Sequence, residues 1–413
     1  RDLAFLQLYA NGTPLFPQPG KRISGTKLKA TESVSLSSGK NIIELSVIDA
    51  NGIESLRASS TVTRSTLAAP GRLFFIGFGV SRYADPKLNL DFAAKDASDL
   101  SNIFSKMPFD HVATHLFLDH DATRSTVEKL RSLVSDVRVD DTVVVFIAGH
   151  GVHTRDLSGD YFFLTHDTDV ARIRDTAASF ELFETFLSSL PAHRKLFLMD
   201  TCQSGEREGD SPPRVSTRGP AAVVARGARG LVLDASIHPA ASTERRASIR
   251  HADFVALDRS RFSFNDLSRR TGTVVLSSSR GSELSYESTD ARNGAFTAEL
   301  KVALTSKVAD LNADGVVDLG ELYRYITSAV ARRTENLQHP TIDRDNSLEG
   351  SRFCGHPQYA LKCARSDPWQ NENDDSLRMS SRRTRSGWRR RATDRSHKWR
   401  RTWTSPKALS ASG

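Results

Sequence analysis

Two stretches of sequence decide the fold of this chain: TVVVFIAGHG at residues 142–151 and LFLMDTCQSG at residues 196–205. Each begins with an apolar run, which is typical of a strand that is buried on both faces of a parallel sheet. The first run ends at His150, and the second ends at Asp200 and Cys202. Because parallel strands end at the same edge of a sheet, where ligands bind, we expect these three side chains to come together there.

A cysteine near a histidine suggests nucleophilic catalysis. Cys202 follows His150 by 52 positions, which leaves room for one hairpin, one helix and a returning strand. An imidazole beside a thiol favours the thiolate, which is the reactive form. The glycines that flank His150 would let the backbone approach a reacting carbonyl, and the N–H groups of Gly151 and Cys202 would suit an oxyanion hole. The alternatives are a cysteine that packs as a small apolar residue and a histidine satisfied in the core. We place the nearby His153 in a loop.

The sequence around these stretches alternates strands and helices. We predict strands at residues 72–80, 112–118 and 271–279, and helices at residues 91–107, 123–137, 180–190, 295–306 and 319–333. This alternation predicts an α/β domain over residues 72–345, with a mostly parallel sheet covered by helices on both faces.

Three segments depart from this pattern. Residues 1–66 alternate apolar and polar positions around Asn-Gly pairs, and they predict a small all-β, immunoglobulin-like module that ends a longer upstream region. Residues 206–265 are rich in arginine, contain no lysine and have little periodicity, so we predict a mobile insertion. Residues 366–413 carry twelve Lys and Arg against five Asp and Glu, and they hold all four Trp residues. They predict a basic disordered tail.

The tail accounts for seven of the eight units of net positive charge, so the rest of the chain is close to neutral. We expect the tail to be a solvated appendage rather than a segment that binds nucleic acid, since most charge runs are solvated. No apolar run approaches the roughly 18–20 residues of a membrane helix, so we expect no membrane span. The three cysteines are too few and too scattered for a disulfide framework.

The motifs AGHG, DTCQSG, NGAFTAEL and LQHPTI occur in this order over residues 72–340. Together they resemble the caspase-like cysteine peptidases, which include metacaspases and their bacterial relatives. In caspases the cysteine lies in Q-A-C-[RQG]-G, with the histidine roughly 50 residues upstream. The resemblance implies a caspase-like three-layer sandwich and an endopeptidase that cleaves proteins or peptides through a Cys202–His150 dyad and an acyl-enzyme. The alternative is a catalytically silent signalling scaffold that binds partners through its β module and tail.

The sequence departs from caspases at Asp200, where caspases have Gln. Metacaspases and paracaspases carry an acid at this place in the S1 pocket, which receives the side chain before the cleaved bond. FAAKDA at residues 92–97 is similar to the helix start that supplies a second pocket acid in metacaspases, which places Asp96 opposite Asp200. The resemblance therefore implies cleavage after Arg or Lys, since a desolvated cation needs carboxylate partners. In the alternative, Asp200 only caps the loop after its strand.

An arginine-specific pocket next to the insertion would make self-processing possible, with Arg245 and Arg246 as the expected site. Caspases are matured by cuts in the corresponding linker, whereas many metacaspases act uncut, so the resemblance leaves this point open.

DLNADGVVDLGE at residues 310–321 matches the twelve-residue calcium loop of EF-hands in full. The six ligand positions hold Asp310, Asn312, Asp314, Val316 through its carbonyl, Asp318 and Glu321. The pattern predicts a bound Ca²⁺, although EF-hands normally work in pairs and we find no second loop. The alternative is an acid-rich turn in which Asp318 and Glu321 form a capping box for the following helix.

Overall fold

The computed structural model describes residues 2–16, 19–64, 71–153, 160–201, 223–225, 272–280, 283–315, 317–342 and 352–353. These residues form two compact units, the first within residues 1–68 and the second within residues 69–364. The predicted tail and all of the predicted insertion except residues 223–225 lie outside the described residues. In the part of the chain that the structure describes, no helix has the length and apolar character needed to cross a bilayer.

The first unit is a small antiparallel sheet. Its strands are β1 (Leu3–Ala10), β2 (Thr13–Pro14), β3 (Lys21–Arg22), β4 (Gly39–Asp49) and β5 (Ala58–Arg64). The order is β2-β1-β4-β5, and β3 also pairs with β1. Asn11 and Gly12 both take positive φ, 52° and 76°, as a type I′ hairpin turn requires. The prediction of an all-β module is confirmed, although its described strands form one sheet, whereas an immunoglobulin-like sandwich has two.

The second unit contains fourteen described strands, named here in chain order. They are β6 (Leu73–Gly79), β7 (Val112–Leu118), β8 (Thr142–Gly149), β9 (Gly151–His153), β10 (Tyr161–Phe163), β11 (Ala178–Ser179), β12 (Arg194–Thr201), β13 (Val223–Ala225), β14 (Thr273–Ser277), β15 (Tyr286–Ser288), β16 (Asn293–Gly294), β17 (Val317–Asp318), β18 (Thr341–Ile342) and β19 (Arg352–Phe353).

The described helices of this unit are interspersed among these strands. They are α1 (Ala93–Phe104), α2 (Arg124–Glu128), α3 (Leu130–Leu133), α4 (Ile173–Thr176), α5 (Phe180–Ser188), α6 (Ala295–Thr305) and α7 (Leu319–Arg333). A short 3₁₀ turn at Pro86–Leu88 precedes α1.

A six-stranded sheet with the order β18-β14-β12-β8-β6-β7 forms the centre of the second unit. The strands from β14 to β7 in this order are parallel, and β18 is antiparallel to β14. Every residue of β6 and of β8 is buried, as continuous apolar runs predict for central strands. The mostly parallel α/β sheet predicted from the sequence is therefore confirmed.

Helices cover both faces of this sheet. Phe75 of β6 stacks on Phe104 of α1 with 4.9 Å between ring centroids. Phe78, three positions further along the strand, points to the opposite face and contacts Phe183 of α5, with 6.2 Å between ring centroids. Gly79 lets α1 approach closely, because a Cβ there would lie 2.5 Å from the carbonyl oxygen of Ala93. The layers are thus helix, sheet and helix, as the three-layer prediction requires.

The helix predicted over residues 123–137 is broken in the structure. Thr123 caps α2 as a hydrogen-bond acceptor for the Thr126 N–H, but α2 ends at Glu128 and α3 begins at Leu130. Around Lys129 the backbone bonds join residues three apart, from Lys129 to Thr126 and from Ser132 to Lys129. This tighter 3₁₀ pattern interrupts the α-helix.

Three smaller sheets flank the central one, with the strand orders β11-β10-β9, β13-β15-β16 and β17-β19. His153 is the last residue of β9 and pairs with Tyr161, so our placement of His153 in a loop was wrong. The sequence prediction also missed β13, which lies inside the predicted insertion and pairs with β15.

Candidate active site

The strands β8 and β12 end side by side at one edge of the central sheet. Asp200 pairs with Ala148, and Thr201 pairs with Gly149. His150 directly follows β8, and Thr201 is the last described residue of β12. The prediction that the two motifs end at one edge therefore agrees with the register of the sheet. Cys202 itself lies outside the described residues.

His150 is held at three points and is 6% exposed. Its backbone N–H donates to the Tyr83 hydroxyl at 2.9 Å, and its carbonyl oxygen accepts from the Leu164 N–H at 3.0 Å. Its ring atom Nε2 lies 2.8 Å from the carbonyl oxygen of Leu88. Because a carbonyl can only accept, this contact assigns the ring proton to Nε2 in the neutral imidazole. The lone pair that can take a proton is then on Nδ1.

Gly149 makes room for this arrangement. Its φ is 152°, and a Cβ there would lie 2.8 Å from the Tyr83 Oη atom and 3.1 Å from the Phe163 ring. A larger residue would therefore displace the hydroxyl that accepts from His150. This packing requirement is separate from the approach of the backbone to a reacting carbonyl that we expected from the sequence, which stays a prediction.

Gly151 begins β9 and pairs with Phe163 of β10. The neighbouring pair of His150 and Leu164 is joined by the bond from Leu164 N–H to His150 O. Hydrogen-bonded and non-hydrogen-bonded pairs alternate along an antiparallel ladder. Because His150 and Leu164 form a hydrogen-bonded pair, Gly151 and Phe163 form a non-hydrogen-bonded pair. The N–H of Gly151 consequently points away from β10.

The end of β12 is anchored by buried hydroxyl groups. The carbonyl oxygen of Thr201 accepts from Ser278 Oγ at 3.1 Å and from Ser285 Oγ at 2.9 Å. The side-chain hydroxyl of Thr201 also bonds to the Tyr161 hydroxyl. The residue before Cys202 is thus fixed through both its backbone and its side chain.

Asp96 and Asp200, the two predicted pocket acids, are both fully buried. Asp96 lies in the first turn of α1, where its carboxylate accepts from the Gly294 N–H at 3.0 Å and from Asn293 Nδ2 at 2.8 Å. Asp200 lies within β12 rather than in the loop after it, and its Oδ2 atom accepts from Thr297 Oγ1 at 2.6 Å. The structure thus brings both acids against one segment of the chain, residues 293–297.

A second set of charges, which we did not expect from the sequence, surrounds Asn293. Asp99 accepts from Lys95 Nζ at 2.6 Å, from Asn293 Nδ2 at 2.9 Å and from Lys301 Nζ. Burial alone would raise the pKa of Asp99, but the hydrogen bonds from Lys301, Lys95 and Asn293 outweigh it and lower that pKa to about 2. The signal available in the sequence was the i,i+4 spacing of Lys95 and Asp99.

The acid-rich loop before α7 is ordered by hydrogen bonds to its own backbone. Asp310 accepts from the N–H groups of Asp314 and Gly315, and Glu321 accepts from those of Leu311 and Asn312.

Asp318 and Glu321 form the capping box that was our alternative explanation of this sequence. Val316 lies outside the described residues, and within the described ones no group of three His, Cys, Asp or Glu side chains is placed to hold a metal. The calcium site remains a prediction.

The chain is similar to known proteins with a caspase domain. The family model of the caspase domain matches residues 76–349. Similar solved structures include "Crystal Structure of Caspase-1 from Spodoptera frugiperda", at 15% identity and a TM-score of 0.37 over 68% of this chain and 93% of that one. Another is "structure of pro-sf-caspase-1", at 16% identity and a TM-score of 0.37 over 72% and 97%. No curated protein sequence matches the chain. Because the family model spans well over half of the sequence, the chain belongs to the caspase-domain family of cysteine peptidases.

Proposed function

We propose that this protein is an active cysteine endopeptidase that cleaves after Arg or Lys, with Cys202 as nucleophile and His150 as general base. The observation that carries the proposal is the contact between His150 Nε2 and the Leu88 carbonyl at 2.8 Å. It leaves Nδ1 as the basic atom of a ring that stands beside the strand end leading to Cys202.

The reaction begins when Nδ1 of His150 takes the proton from the Cys202 thiol. The thiolate then attacks the carbonyl carbon of the cleaved bond, and negative charge develops on the carbonyl oxygen. The N–H groups of Gly151 and Cys202 would stabilise this oxyanion. When the tetrahedral intermediate collapses, the imidazolium gives its proton to the leaving amine and a thioester remains on Cys202. His150 next takes a proton from water as the water oxygen attacks the thioester carbon. The carbon–sulfur bond then breaks, the acid product leaves, and the Cys202 sulfur takes the proton back from His150.

The Leu88 carbonyl has a second effect on His150. Its partial negative charge lies next to the Nε2 proton, and this contact strengthens when the ring becomes an imidazolium. The carbonyl therefore favours the charged form that the first step creates, and it also keeps the ring from rotating.

Asp96 and Asp200 support the proposed specificity. Carboxylates that accept hydrogen bonds from N–H and O–H donors are favoured in the ionised form. Two buried carboxylates at one site favour a cationic ligand, and the guanidinium of Arg or the ammonium of Lys would form charge-assisted hydrogen bonds there. A substrate with Asp before the cleaved bond would instead bring a third negative charge to the pocket.

Fluorogenic peptides that differ only in the residue before the cleaved bond test this proposal. We expect the Arg and Lys peptides to be hydrolysed, the Asp peptide to be inert, and Cys202→Ala to abolish all hydrolysis. A peptidyl chloromethyl ketone that ends in Arg should label the parent protein on Cys202. If the parent protein hydrolyses none of the peptides and stays unlabelled, the chain is a silent scaffold; a preference for Asp would contradict the specificity alone.

A further inference from the structure

The two pocket acids come from distant parts of the chain, and one short segment contacts both. We call residues 293–297 the acid-binding segment. It runs from β16 into the first turn of α6, and its described residues are buried. Asp96 contacts Asn293 and Gly294 at the start of this segment, and Asp200 contacts Thr297 at its end.

Asn293 has its side-chain orientation fixed from both sides. Its Nδ2 atom donates to Asp96 Oδ1 at 2.8 Å and to Asp99 Oδ2 at 2.9 Å. Its Oδ1 atom accepts from Lys301 Nζ at 2.9 Å. The reversed amide would point oxygen at two carboxylates and nitrogen at an ammonium group, so only one orientation is favourable. Asn293 therefore holds Asp96 in a defined position.

Thr297 acts in the same way on Asp200. The Thr297 hydroxyl has a single proton, which it donates to Asp200 Oδ2 at 2.6 Å, a short distance that is typical of a bond to a charged acceptor. Fixing one oxygen of a carboxylate fixes the plane of the group and hence the direction of the other oxygen. The first turn of a helix also carries a partial positive charge, which favours ionised carboxylates there.

We infer that Thr297, together with Asn293, is a positioning residue for substrate specificity: it orients Asp200 to receive the cationic side chain before the cleaved bond. This inference rests on the proposed function, because it concerns the same pocket. It adds that recognition of Arg or Lys depends on a neutral hydroxyl in α6 as well as on the two acids.

The test compares two peptides that differ in charge but hardly in shape, one with Arg and one with citrulline before the cleaved bond. The isosteric change Thr297→Val removes the hydroxyl and should reduce the preference for Arg over citrulline by about tenfold or more, mainly through a higher KM for the Arg peptide. Thr297→Ser keeps a hydroxyl and should retain the preference. The rate at which iodoacetamide alkylates Cys202 should stay unchanged in both variants.

Thr305→Val is the matched control. Thr305 is an exposed residue at the end of α6, and its hydroxyl bonds to the Lys301 carbonyl of the same helix. This variant should keep the preference for Arg.

Two outcomes would overturn the inference. If Thr297→Val lowers the melting temperature but leaves the ratio of kcat/KM values for the two peptides unchanged, the hydroxyl only stabilises the fold, while the proposed function stands. If the parent protein already treats Arg and citrulline alike, the proposed pocket fails and the inference fails with it. If Thr297→Val does not fold, Asn293→Ala tests the inference through Asp96, because it removes the side-chain bond to that carboxylate. An unchanged ratio of kcat/KM values for the Arg and citrulline peptides would again contradict the inference.

Discussion

The Nε2 atom of His150 lies 2.8 Å from the carbonyl oxygen of Leu88. Leu88 ends the 3₁₀ turn at Pro86–Leu88, which Asp85 caps by accepting from the Lys87 N–H at 3.0 Å. The same loop supplies Tyr83, whose hydroxyl accepts from the His150 N–H. The position of the proposed general base therefore depends on a loop 62 positions upstream as well as on its own strand.

We expect Tyr83→Phe to lower kcat while leaving KM nearly unchanged. The substitution keeps the ring but leaves the buried N–H of His150 without this acceptor, which costs about 1–3 kcal/mol. Part of that free energy should appear as a fall in kcat of about tenfold, since the imidazole is held less firmly. Steady-state kinetics on an Arg peptide measure the effect. Tyr323 is a half-buried residue of α7, and Tyr323→Phe is the control that should leave kcat unchanged. An equal loss of kcat in both variants would contradict the role of Tyr83.

Asp200→Ala should abolish most hydrolysis of Arg and Lys peptides, because the cationic side chain loses a buried partner. We expect a reduction in kcat/KM of at least about a hundredfold, in line with the loss of a desolvated charge pair. Asp200→Asn keeps the shape of the side chain and an oxygen that can accept from Thr297, but it removes the charge, so it should show a similar loss. Circular dichroism checks that both variants fold. Full activity of a folded Asp200→Asn protein would show that charge at this position is not needed for recognition.

The stability of the protein should depend on Lys195, a buried residue at the start of β12. Burial lowers the pKa of Lys195 from 10.5 to about 7. Between pH of about 7 and 10.5, Lys195 holds its proton in the unfolded chain but has released it in the folded chain. Lys195 therefore makes the free energy of unfolding rise with pH over this range. The neighbouring His193, whose pKa burial lowers to about 4, stays neutral throughout.

Lys195→Met should therefore raise the melting temperature at pH 7, and its advantage over the parent should shrink as the pH approaches 10. Thermal denaturation at a series of pH values measures this difference. Lys129→Met, at an exposed position, is the control and should show no such trend. A constant difference between Lys195→Met and the parent across the pH range would mean that Lys195 does not titrate in this window.

Calcium should raise the melting temperature if the loop at residues 310–321 binds it, because a ligand held only by the folded state stabilises that state. Glu321→Gln should weaken binding, but it also changes the capping box of α7. Asp314→Ala removes a ligand and separates the two effects, since Asp314 is exposed and has no part in the box. We expect it to remove the calcium-dependent rise while leaving the melting temperature in EGTA unchanged. An identical melting temperature of the parent protein with calcium and with EGTA would rule out the site.

The central strands and the last two helices could be predicted because their signals are local. The apolar runs that became β8 and β12 and the periodicity of α6 and α7 are read directly from neighbouring residues. Their common edge followed from the rule that parallel strands end together. The positions of His150 and Asp200 at that edge could therefore be predicted from the sequence.

The contacts that orient these residues could not be predicted in the same way. Leu88 acts through a backbone carbonyl, which no side-chain pattern encodes. Thr297 meets Asp200 across 97 positions, and threonine is common in many helices for other reasons. The break at Lys129 between α2 and α3 was also missed, because the apolar periodicity continues through it.

Self-processing is the last expectation. The predicted insertion at residues 206–265 begins shortly after β12 and is rich in arginine. It lies outside the described residues except for β13. A tethered segment has a high effective concentration at its own active site, so an Arg-specific peptidase should cut it even when dilute. We expect purified protein to convert with time into two fragments with a new end after Arg245 or Arg246, at a rate that does not depend on protein concentration.

Cys202→Ala should stay whole under the same conditions, and changing Arg245 and Arg246 to Gln should block or redirect the cut. The two fragments should remain associated, because β12 and β14 lie on either side of the insertion in sequence and are paired along five positions in the central sheet. Mass spectrometry of the new ends together with size-exclusion chromatography measures both points. Cleavage that persists in Cys202→Ala would come from a contaminating protease, and ends that do not follow Arg would contradict both the self-processing site and the pocket that it presupposes.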